Sequence, residues 1–262
     1  MTMRLIRSGA LSAPVQMALD DAIARSVRAG KAPPTLRLYT WERPAFTIGS
    51  LQRLEETFDL EACRQAGIPI IRRLTGGRAV YHDREVTYAV AARADHPVFR
   101  GSVRATFQTI ARGLVAGLKL LGIEGVLTEP CRDAGVRRMP PSVLCALVET
   151  GYDLKVLGKK LIGSAQRRWP DGFLQQGSLP LTLSPRGFLP CLRPALSLHE
   201  VMAACSSLAE ILRRDVTPDE VMAAICHGME AALGVRLIEA AATAEEDETA
   251  EALARDRYAP LL

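Results

Sequence analysis

The segment RRLTGGRAVYHD, residues 72–83, places two adjacent glycines between two predicted β-strands. An apolar strand is expected at residues 68–71 before it, and a buried β-rich strand at residues 86–92 after it. Gly76 and Gly77 permit backbone conformations that residues with a Cβ avoid, and they let a ligand approach the chain closely. Three arginines, one histidine and one aspartate crowd the same segment. The segment is therefore a candidate binding loop, although a glycine turn with solvated charges is an equally simple interpretation.

The segment GKKLIGSAQRR, residues 158–168, is the second candidate. Its Lys160 enters a predicted strand beside small residues, so the ammonium can reach into a cleft as a point charge. Strand alternation places Lys160 on the inner face with Ile162 and turns Leu161 outward. The competing interpretation is a lysine whose stem lies along a strand end with its ammonium in solvent. Neither segment matches the P-loop or the Rossmann pattern.

The six cysteines are scattered, and no CxxC pair offers the spacing of a zinc ribbon or a redox motif. Cys145 lies between the loop that contains Pro140 and Pro141 and the Lys160 segment. A neighbouring cation stabilises a thiolate, so Cys145 is the candidate nucleophile if Lys160 lies near it. An inert buried thiol is the competing interpretation, and Cys131 is the second candidate.

The composition argues against several classes of protein. The chain has 262 residues, of which 48% are hydrophobic and 24% charged, and its net charge is +4. No basic run is interleaved with aromatic residues, which argues against a nucleic-acid partner. No apolar run is long enough for a signal peptide or a membrane-spanning helix, and the four histidines form no metal-binding set. We therefore expect a soluble cytoplasmic protein with free thiols, no membrane partner and no metal.

Ser12, Ser102 and Thr217 are the predicted caps at the starts of three helices, and Gly30, Gly122 and Gly234 are the predicted ends of the same helices. Alternating or β-rich runs predict the strands, some of them joined as hairpins. The predicted helices lie within residues 12–30, 57–65, 102–122, 217–234 and 241–262, and the predicted strands within residues 36–41, 45–50, 68–71, 86–92, 153–157, 158–165 and 173–181. We expect one α+β domain over residues 1–262, with a mixed sheet and a helical C-terminal portion from about residue 197.

Three ordered segments resemble the signatures of one enzyme superfamily. Residues 72–90, RRLTGGRAVYHDREVTYAV, resemble the first signature of the lipoate–protein ligase, biotin–protein ligase and octanoyltransferase superfamily. Residues 158–181, with GKKLIGSAQRR and GFLQQGSLPL, resemble its second signature, and residues 17–52 resemble its N-terminal helix and first strands. The resemblance covers most of residues 15–183, and the order of the three segments makes it specific.

The resemblance implies a lipoate/biotin ligase-type catalytic domain, which is an α+β fold with a mixed β-sheet flanked by helices. The acyl chain is expected in a tunnel bordered by residues 72–83, with Lys160 holding its carbonyl oxygen. The residues expected to bind the acyl substrate are Arg72, Arg73, Thr75, Gly76, Gly77, Arg78, Ala79, Val80, His82, Asp83, Gly163, Ser164 and Ala165.

Arg78 distinguishes two branches of this superfamily. ATP-dependent lipoate ligases usually have a third glycine at this place and a Gly-Asn pair after the His-Asp pair, whereas this chain has Arg78 and the run HDREVTY. It therefore looks most like the ligase-like octanoyl-[acyl-carrier-protein]:protein N-octanoyltransferases. Those enzymes use a cysteine a little upstream of the lysine hairpin, where Cys145 stands here. The aromatic-rich stretch that commonly follows that cysteine is absent from CALVETGYDL.

The reaction implied by the resemblance moves an octanoyl group from acyl-carrier protein to Cys145 as a thioester. The group then passes to a lysine of a lipoyl-domain protein, such as glycine cleavage H protein or a 2-oxoacid dehydrogenase subunit. No cofactor is expected, and Arg72, Arg73 and Arg78 are candidates to contact the acidic carrier or its phosphopantetheine phosphate. Three alternatives stay open: an ATP- and Mg-dependent lipoate or octanoate ligase, an amidotransferase that moves octanoyl between lipoyl domains, and an inactive module that binds lipoyl domains.

Overall fold

A large mixed β-sheet runs through the part of the chain that the structure, a computed structural model, describes: residues 1–124, 126–127 and 153–262. Eight strands of these residues form it, in the order β11-β1-β2-β6-β10-β9-β8-β7. β1 is parallel to both of its neighbours, and all the other pairs are antiparallel. The strands are β1 (Thr2–Leu11), β2 (Thr35–Trp41), β6 (Glu85–Arg93), β7 (Val126–Leu127), β8 (Leu154–Val156), β9 (Lys159–Trp169), β10 (Gly172–Pro180) and β11 (Arg236–Glu239).

A small three-stranded sheet carries the glycine segment. β3 (Ala45–Ile48) lies in its middle, parallel to β4 (Ile70–Arg72) and antiparallel to β5 (Val80–His82). Residues 72–83 therefore run from the end of one outer strand to the end of the other. Because β3 pairs with both strands, it fixes the two ends of the glycine loop relative to each other.

Helices cover both faces of the large sheet. α3 and α6 pack against each other and against one face, where they contribute to the largest apolar core. α1 and α7 pack together on the opposite face, beside the second core. The helices are α1 (Ala13–Arg28), α2 (Leu60–Gln65), α3 (Val103–Leu120), α4 (Leu198–Ala204), α5 (Leu208–Leu212), α6 (Pro218–Leu233) and α7 (Ala244–Asp256).

The contact between α3 and α6 depends on Gly228. A Cβ placed there would lie 2.2 Å from the nitrogen of Gly117 and 2.5 Å from the carbonyl oxygen of Gly113. These are backbone atoms of the facing helix, so they cannot move aside without separating the helices. The missing side chain at Gly228 thus sets how closely the two helices approach.

A Gly228→Val variant is expected to lower the free energy of unfolding by about 3 kcal/mol, because overpacking forces the helices apart. Urea denaturation followed by circular dichroism measures this loss. His227→Ala is the matched control, since the neighbouring side chain is exposed on the same helix and should change stability by less than about 0.5 kcal/mol. Equal stability of the two variants would contradict this account of the helix contact.

The predicted helices and strands are mostly confirmed, with informative exceptions. α1, α3 and α6 start next to the predicted cap residues Ser12, Ser102 and Thr217. The helix predicted over residues 57–65 begins later, because Asp59 caps it by accepting from the Ala62 amide. β1, β5, β7 and β11 were not predicted. The assignment of residues 1–262 to a single domain stays a prediction.

The prediction that Leu161 points outward is wrong. Leu161 is as deeply buried as Ile162, and both belong to the core under α3 and α6. The sheet is covered on both faces, so alternation along β9 does not separate buried residues from exposed ones. Lys160 is buried as well, in agreement with the inner position predicted for it.

Candidate active site

A cleft between the two sheets brings the glycine segment and the lysine segment together. It consists of two adjoining chambers, which share Val80, Gly163 and Ser178 in their walls. The wider one, here called the Lys160 chamber, encloses about 780 Å³ including its mouth. The second is called the Gln176 chamber. The Lys160 chamber is also lined by Ala79, Asp83, Lys160 and Cys205, and the Gln176 chamber by Met17, Thr75, His82, Ala165 and Gln176.

Strand pairing explains why the wall between β6, β9 and β10 is smooth. Gly163 pairs with Ser178 and Ser178 pairs with Thr87, so small side chains lie in one row across three strands. In the adjoining row, a Cβ at Gly177 would lie 2.3 Å from a ring carbon of Tyr88. Gly163 and Ser178 of the first row line both chambers, whereas the Tyr88 ring fills the space beside Gly177.

The glycine loop is held from below by Arg73. Its guanidinium donates to the carbonyl oxygens of Gly76 (2.6 Å), Arg78 (2.8 Å) and Thr47 (3.1 Å). Gly77 adopts a φ of 89°, a left-handed conformation that favours glycine. Arg73 is buried by this arrangement, so its charge faces the underside of the loop and not the solvent.

Lys160 forms a buried ion pair with Asp153. The Nζ atom lies 2.8 Å from Asp153 Oδ1, and the two side chains are 7% and 0% exposed. Asp153 immediately precedes β8, the strand beside Lys160 on β9. A carboxylate at this distance favours the charged ammonium and fixes its direction. Asp153 was not among the predicted site residues; its acidic side chain at the start of the predicted strand of residues 153–157 was the available signal.

His82 links the small sheet to the large one. Its Nδ1 lies 2.8 Å from Glu85 Oε1, and its Nε2 lies 2.8 Å from the Thr47 hydroxyl. The imidazole stacks on Trp41 with 4.0 Å between ring centroids. Ser178 donates to the other Glu85 oxygen at 2.5 Å. Burial works to raise the pKa of Glu85, but His82 and the hydroxyl groups of Ser178 and Thr87, which donate to the carboxylate, outweigh it. The pKa of Glu85 is therefore lowered and the carboxylate stays ionised.

Gln176 lies at the centre of a second buried hydrogen-bond cluster. Its amide nitrogen donates to Asp20 Oδ2 at 2.6 Å, and its amide oxygen accepts from the Thr75 hydroxyl at 2.9 Å. Asp20 also accepts from Arg37 at 2.7 Å and from the Tyr39 hydroxyl at 2.9 Å. The polar atoms are thus paired with one another, and mostly carbon faces the Gln176 chamber. The Gln176 chamber can therefore accept an aliphatic chain, although many of the residues that line it are polar.

A Glu85→Gln variant is expected to lose about 2–4 kcal/mol of unfolding free energy at pH 7, because it disturbs a fully satisfied buried network. The native pKa of Glu85 is lowered, so its contribution is present above the ordinary value of about 4.3 and is lost as the pH falls through the native value. The gap between wild type and variant should therefore narrow below about pH 4.

Urea titrations of both proteins between pH 3 and pH 7 measure this gap. Glu245→Gln serves as the control, since the Glu245 side chain is 65% exposed and pairs with an exposed lysine. A gap for Glu85→Gln that does not change with pH would contradict the role assigned to the ionised carboxylate.

Most of the residues predicted to bind the acyl group line one of the two chambers, whereas Arg72 and Arg78 line neither. Arg72 instead donates to the carbonyl oxygens of Gly49 (3.1 Å) and Gln52 (2.7 Å), away from both chambers. Arg78 is exposed and lines neither chamber. Those that line a chamber are Arg73, Thr75, Ala79, Val80, His82, Asp83, Lys160, Gly163, Ser164 and Ala165, while Gly76 and Gly77 form the adjoining loop.

The predicted nucleophile Cys145 lies outside the described residues, and so does Cys131. A different cysteine, Cys205, lines the Lys160 chamber and forms a backbone bridge with Lys160. It is buried and in no disulfide. The sequence analysis did not single it out, because its proximity to Lys160 depends on the chain returning after β10.

No group of three or more histidine, cysteine, aspartate or glutamate side chains in residues 1–124 and 153–262 could hold a metal ion. Nor does any helix in that part of the chain have the length and apolar character needed to cross a membrane.

Known proteins share both the sequence and the fold. An octanoyltransferase LipM from Kyrpidia tusciae is 39% identical over 259 residues, which cover 96% of this chain and 94% of that protein. An octanoyltransferase LipM from Geobacillus kaustophilus is 34% identical over 263 residues, covering 97% and 95%. A T. acidophilum protein described as a lipoate protein ligase, solved with bound lipoic acid, superposes with a TM-score of 0.77 at 25% identity, covering 97% and 95%.

The fold and the cleft define the class of protein, which is a catalytic domain of the lipoate ligase type. The family described as lipoyl protein ligase A/B catalytic domain matches residues 12–230. The chain belongs to this family. The family, the α+β fold class and the enzymatic nature predicted from its sequence are thereby confirmed.

Proposed function

We propose that the protein transfers an octanoyl group to a lysine of a lipoyl-domain protein, with octanoyl-acyl-carrier protein as donor and Cys145 as the carrier of a thioester intermediate. The observation that carries the proposal is the Lys160 ammonium, held 2.8 Å from buried Asp153 in the wall of a cleft with a carbon-lined second chamber. Relatives at 39% and 34% identity over almost the whole chain are named octanoyltransferases, which supports the same reaction.

The chemistry needs a nucleophile and a positive charge. The Cys145 thiolate attacks the thioester carbonyl of the donor, and negative charge develops on the carbonyl oxygen. The Lys160 ammonium stabilises that charge, and the intermediate collapses with release of the donor's thiolate. The neutral amine of the acceptor lysine then attacks the carbonyl carbon of the acyl-enzyme. The C–S bond breaks, the amine proton passes to the departing Cys145 sulfur, and an amide is formed. Neither transfer step consumes ATP.

The two chambers suit the two parts of such a donor. The acyl tail extends past Gly163 into the Gln176 chamber, and the carbonyl lies beside Lys160. The thiol-bearing arm of the donor occupies the wider Lys160 chamber. Burial of each CH₂ contributes about 0.8 kcal/mol, so an eight-carbon tail supplies a few kcal/mol after its ordering cost.

An ATP-dependent ligase is the second candidate, and the likeness to the T. acidophilum protein with bound lipoic acid favours it. A ligase would bind ATP and Mg²⁺ and activate a free acid as its adenylate. Arg78 in the glycine segment, where ligases usually have a third glycine, supports the transferase instead.

The two candidates are separated by their substrates. Purified protein is mixed with a lipoyl domain and either octanoyl-acyl-carrier protein without ATP, or octanoate or lipoate with ATP and Mg²⁺. Modification of the lipoyl domain only in the first mixture is the expected result. Modification only in the second would replace the transferase by the ligase, and no modification in either would favour a binding module.

A further inference from the structure

We infer that Met17 limits the length of the acyl chain that the cleft accepts. The inference rests on the proposed function, in which the tail of the acyl group occupies the Gln176 chamber. Met17 lies on α1, is 3% exposed and lines that chamber. It is therefore a wall residue that reaches the chamber from a helix and not from either sheet.

The strands give the cleft a direction. Lys160 lies near the start of β9 in the Lys160 chamber, whereas Gly163 lines both chambers. Ala165 lines the Gln176 chamber and pairs with Gln176. Since a strand advances by about 3.3 Å per residue, Ala165 lies roughly 16 Å along β9 from Lys160. Gln176 Nε2 lies 3.7 Å from the sulfur of Met17, so this methionine is at the end of the cleft away from Lys160.

Met17 differs from its neighbours at that end in what its removal would disturb. Gln176, Thr75 and Tyr39 are each tied into the buried hydrogen-bond cluster, so their replacement would leave polar groups unpaired. The Met17 thioether is only a weak acceptor, and its unbranched side chain fills space adaptably. Removing the Cγ, Sδ and Cε atoms of Met17 costs Gln176 Nε2 one weak contact with sulfur, while its hydrogen bond to Asp20 remains. Met17 can therefore be shortened with less damage to the network than its neighbours.

The test measures binding of straight-chain fatty acids of six to fourteen carbons by titration calorimetry. Wild type is expected to bind the eight-carbon acid best. Met17→Ala should move the optimum to ten or twelve carbons. Its affinity for the longer acid relative to the eight-carbon acid should rise roughly tenfold, which is the ratio expected when two more methylene groups are buried.

Three further variants control this result. Met17→Leu keeps the volume and should keep the wild-type optimum. Met222→Ala removes the same atoms from α6, outside both chambers, and should leave the optimum unchanged although it lowers stability. Ala165→Leu fills the far end of the cleft from β9 and should move the optimum to six carbons, which keeps the test decisive if Met17→Ala does not fold.

Binding is measured without donor, acceptor or turnover, so it stands apart from the transfer reaction. An optimum that Met17→Ala or Ala165→Leu leaves at the wild-type length overturns the role of Met17, and so does binding that is independent of chain length. Absence of octanoyl transfer by the wild type, with the length shifts as expected, would overturn the proposed reaction and leave the assignment of Met17 supported.

Discussion

Lys160→Met is expected to lower the rate of octanoyl transfer by about 10²–10³-fold, the usual cost of losing one group that stabilises an oxyanion. Methionine nearly keeps the volume of the lysine stem but removes the positive charge beside the proposed carbonyl position. The ion pair with Asp153 predicts a second effect. Removing one partner leaves a buried carboxylate uncompensated, so stability should fall by about 3 kcal/mol. Steady-state transfer to a lipoyl domain measures the first effect, and urea denaturation measures the second.

Two comparison variants separate catalysis from stability. Lys159→Met alters the adjacent lysine, which is about a third exposed and pairs with Glu210, and transfer should stay within about twofold of wild type. Combining Lys160→Met with Asp153→Asn removes both buried charges, so it should recover part of the lost stability while transfer stays low. Recovery of transfer in that double variant, or near-normal transfer by Lys160→Met, would show that the lysine charge is not used in the reaction.

Cys145→Ala is expected to reduce transfer by at least about 10³-fold, because the proposed thioester intermediate can no longer form. The prediction comes from the sequence, where Cys145 stands a little upstream of the Lys160 hairpin. Cys205→Ala is the sharpest control, since Cys205 lines the same chamber as Lys160. It should keep transfer within a few-fold of wild type. Loss of transfer in Cys205→Ala with retention in Cys145→Ala would move the nucleophile from one cysteine to the other.

Much of the fold could be predicted from local signals in the sequence. Helix α1 starts at the predicted cap residue Ser12 and α6 ends at the predicted Gly234, because caps and left-handed glycines are determined by neighbouring residues. The order of the three signature segments was sufficient for the family. The family resemblance, and not the local pattern, assigned Lys160 to the site, since the pattern alone was equally compatible with a lysine whose ammonium lies in solvent.

Other features depend on contacts between distant parts of the chain, which no local pattern contains. β11 becomes a strand only because it pairs with β1 at the other end of the sequence. Asp153 gains its role from Lys160 on the neighbouring strand, and Arg73 is drawn under the glycine loop by carbonyl oxygens from two segments. Leu161 was predicted to point outward from strand alternation, but alternation identifies an exposed face only where one side of a sheet meets solvent. Helices cover both faces of this sheet, so the prediction was wrong.

The polar network shows the same limit within the site itself. Thr75, His82 and Gln176 read as polar residues, which would suggest a polar pocket. Thr75 donates to Gln176, and His82 is paired with Thr47 and Glu85, so mostly carbon faces the chamber. Only the folded arrangement reveals this pairing. The prediction of an acyl site was therefore reached through the family resemblance and not from the character of these side chains.

The central claim is that the protein carries the octanoyl group on Cys145 and needs no ATP. Intact-mass spectrometry after mixing the protein with octanoyl-acyl-carrier protein, without ATP or acceptor, tests this directly. The account predicts a covalent adduct with the mass of one octanoyl group, located on Cys145 by peptide mapping and discharged when a lipoyl domain is added. An unmodified protein that nevertheless modifies the lipoyl domain, or that does so only with ATP, would contradict it.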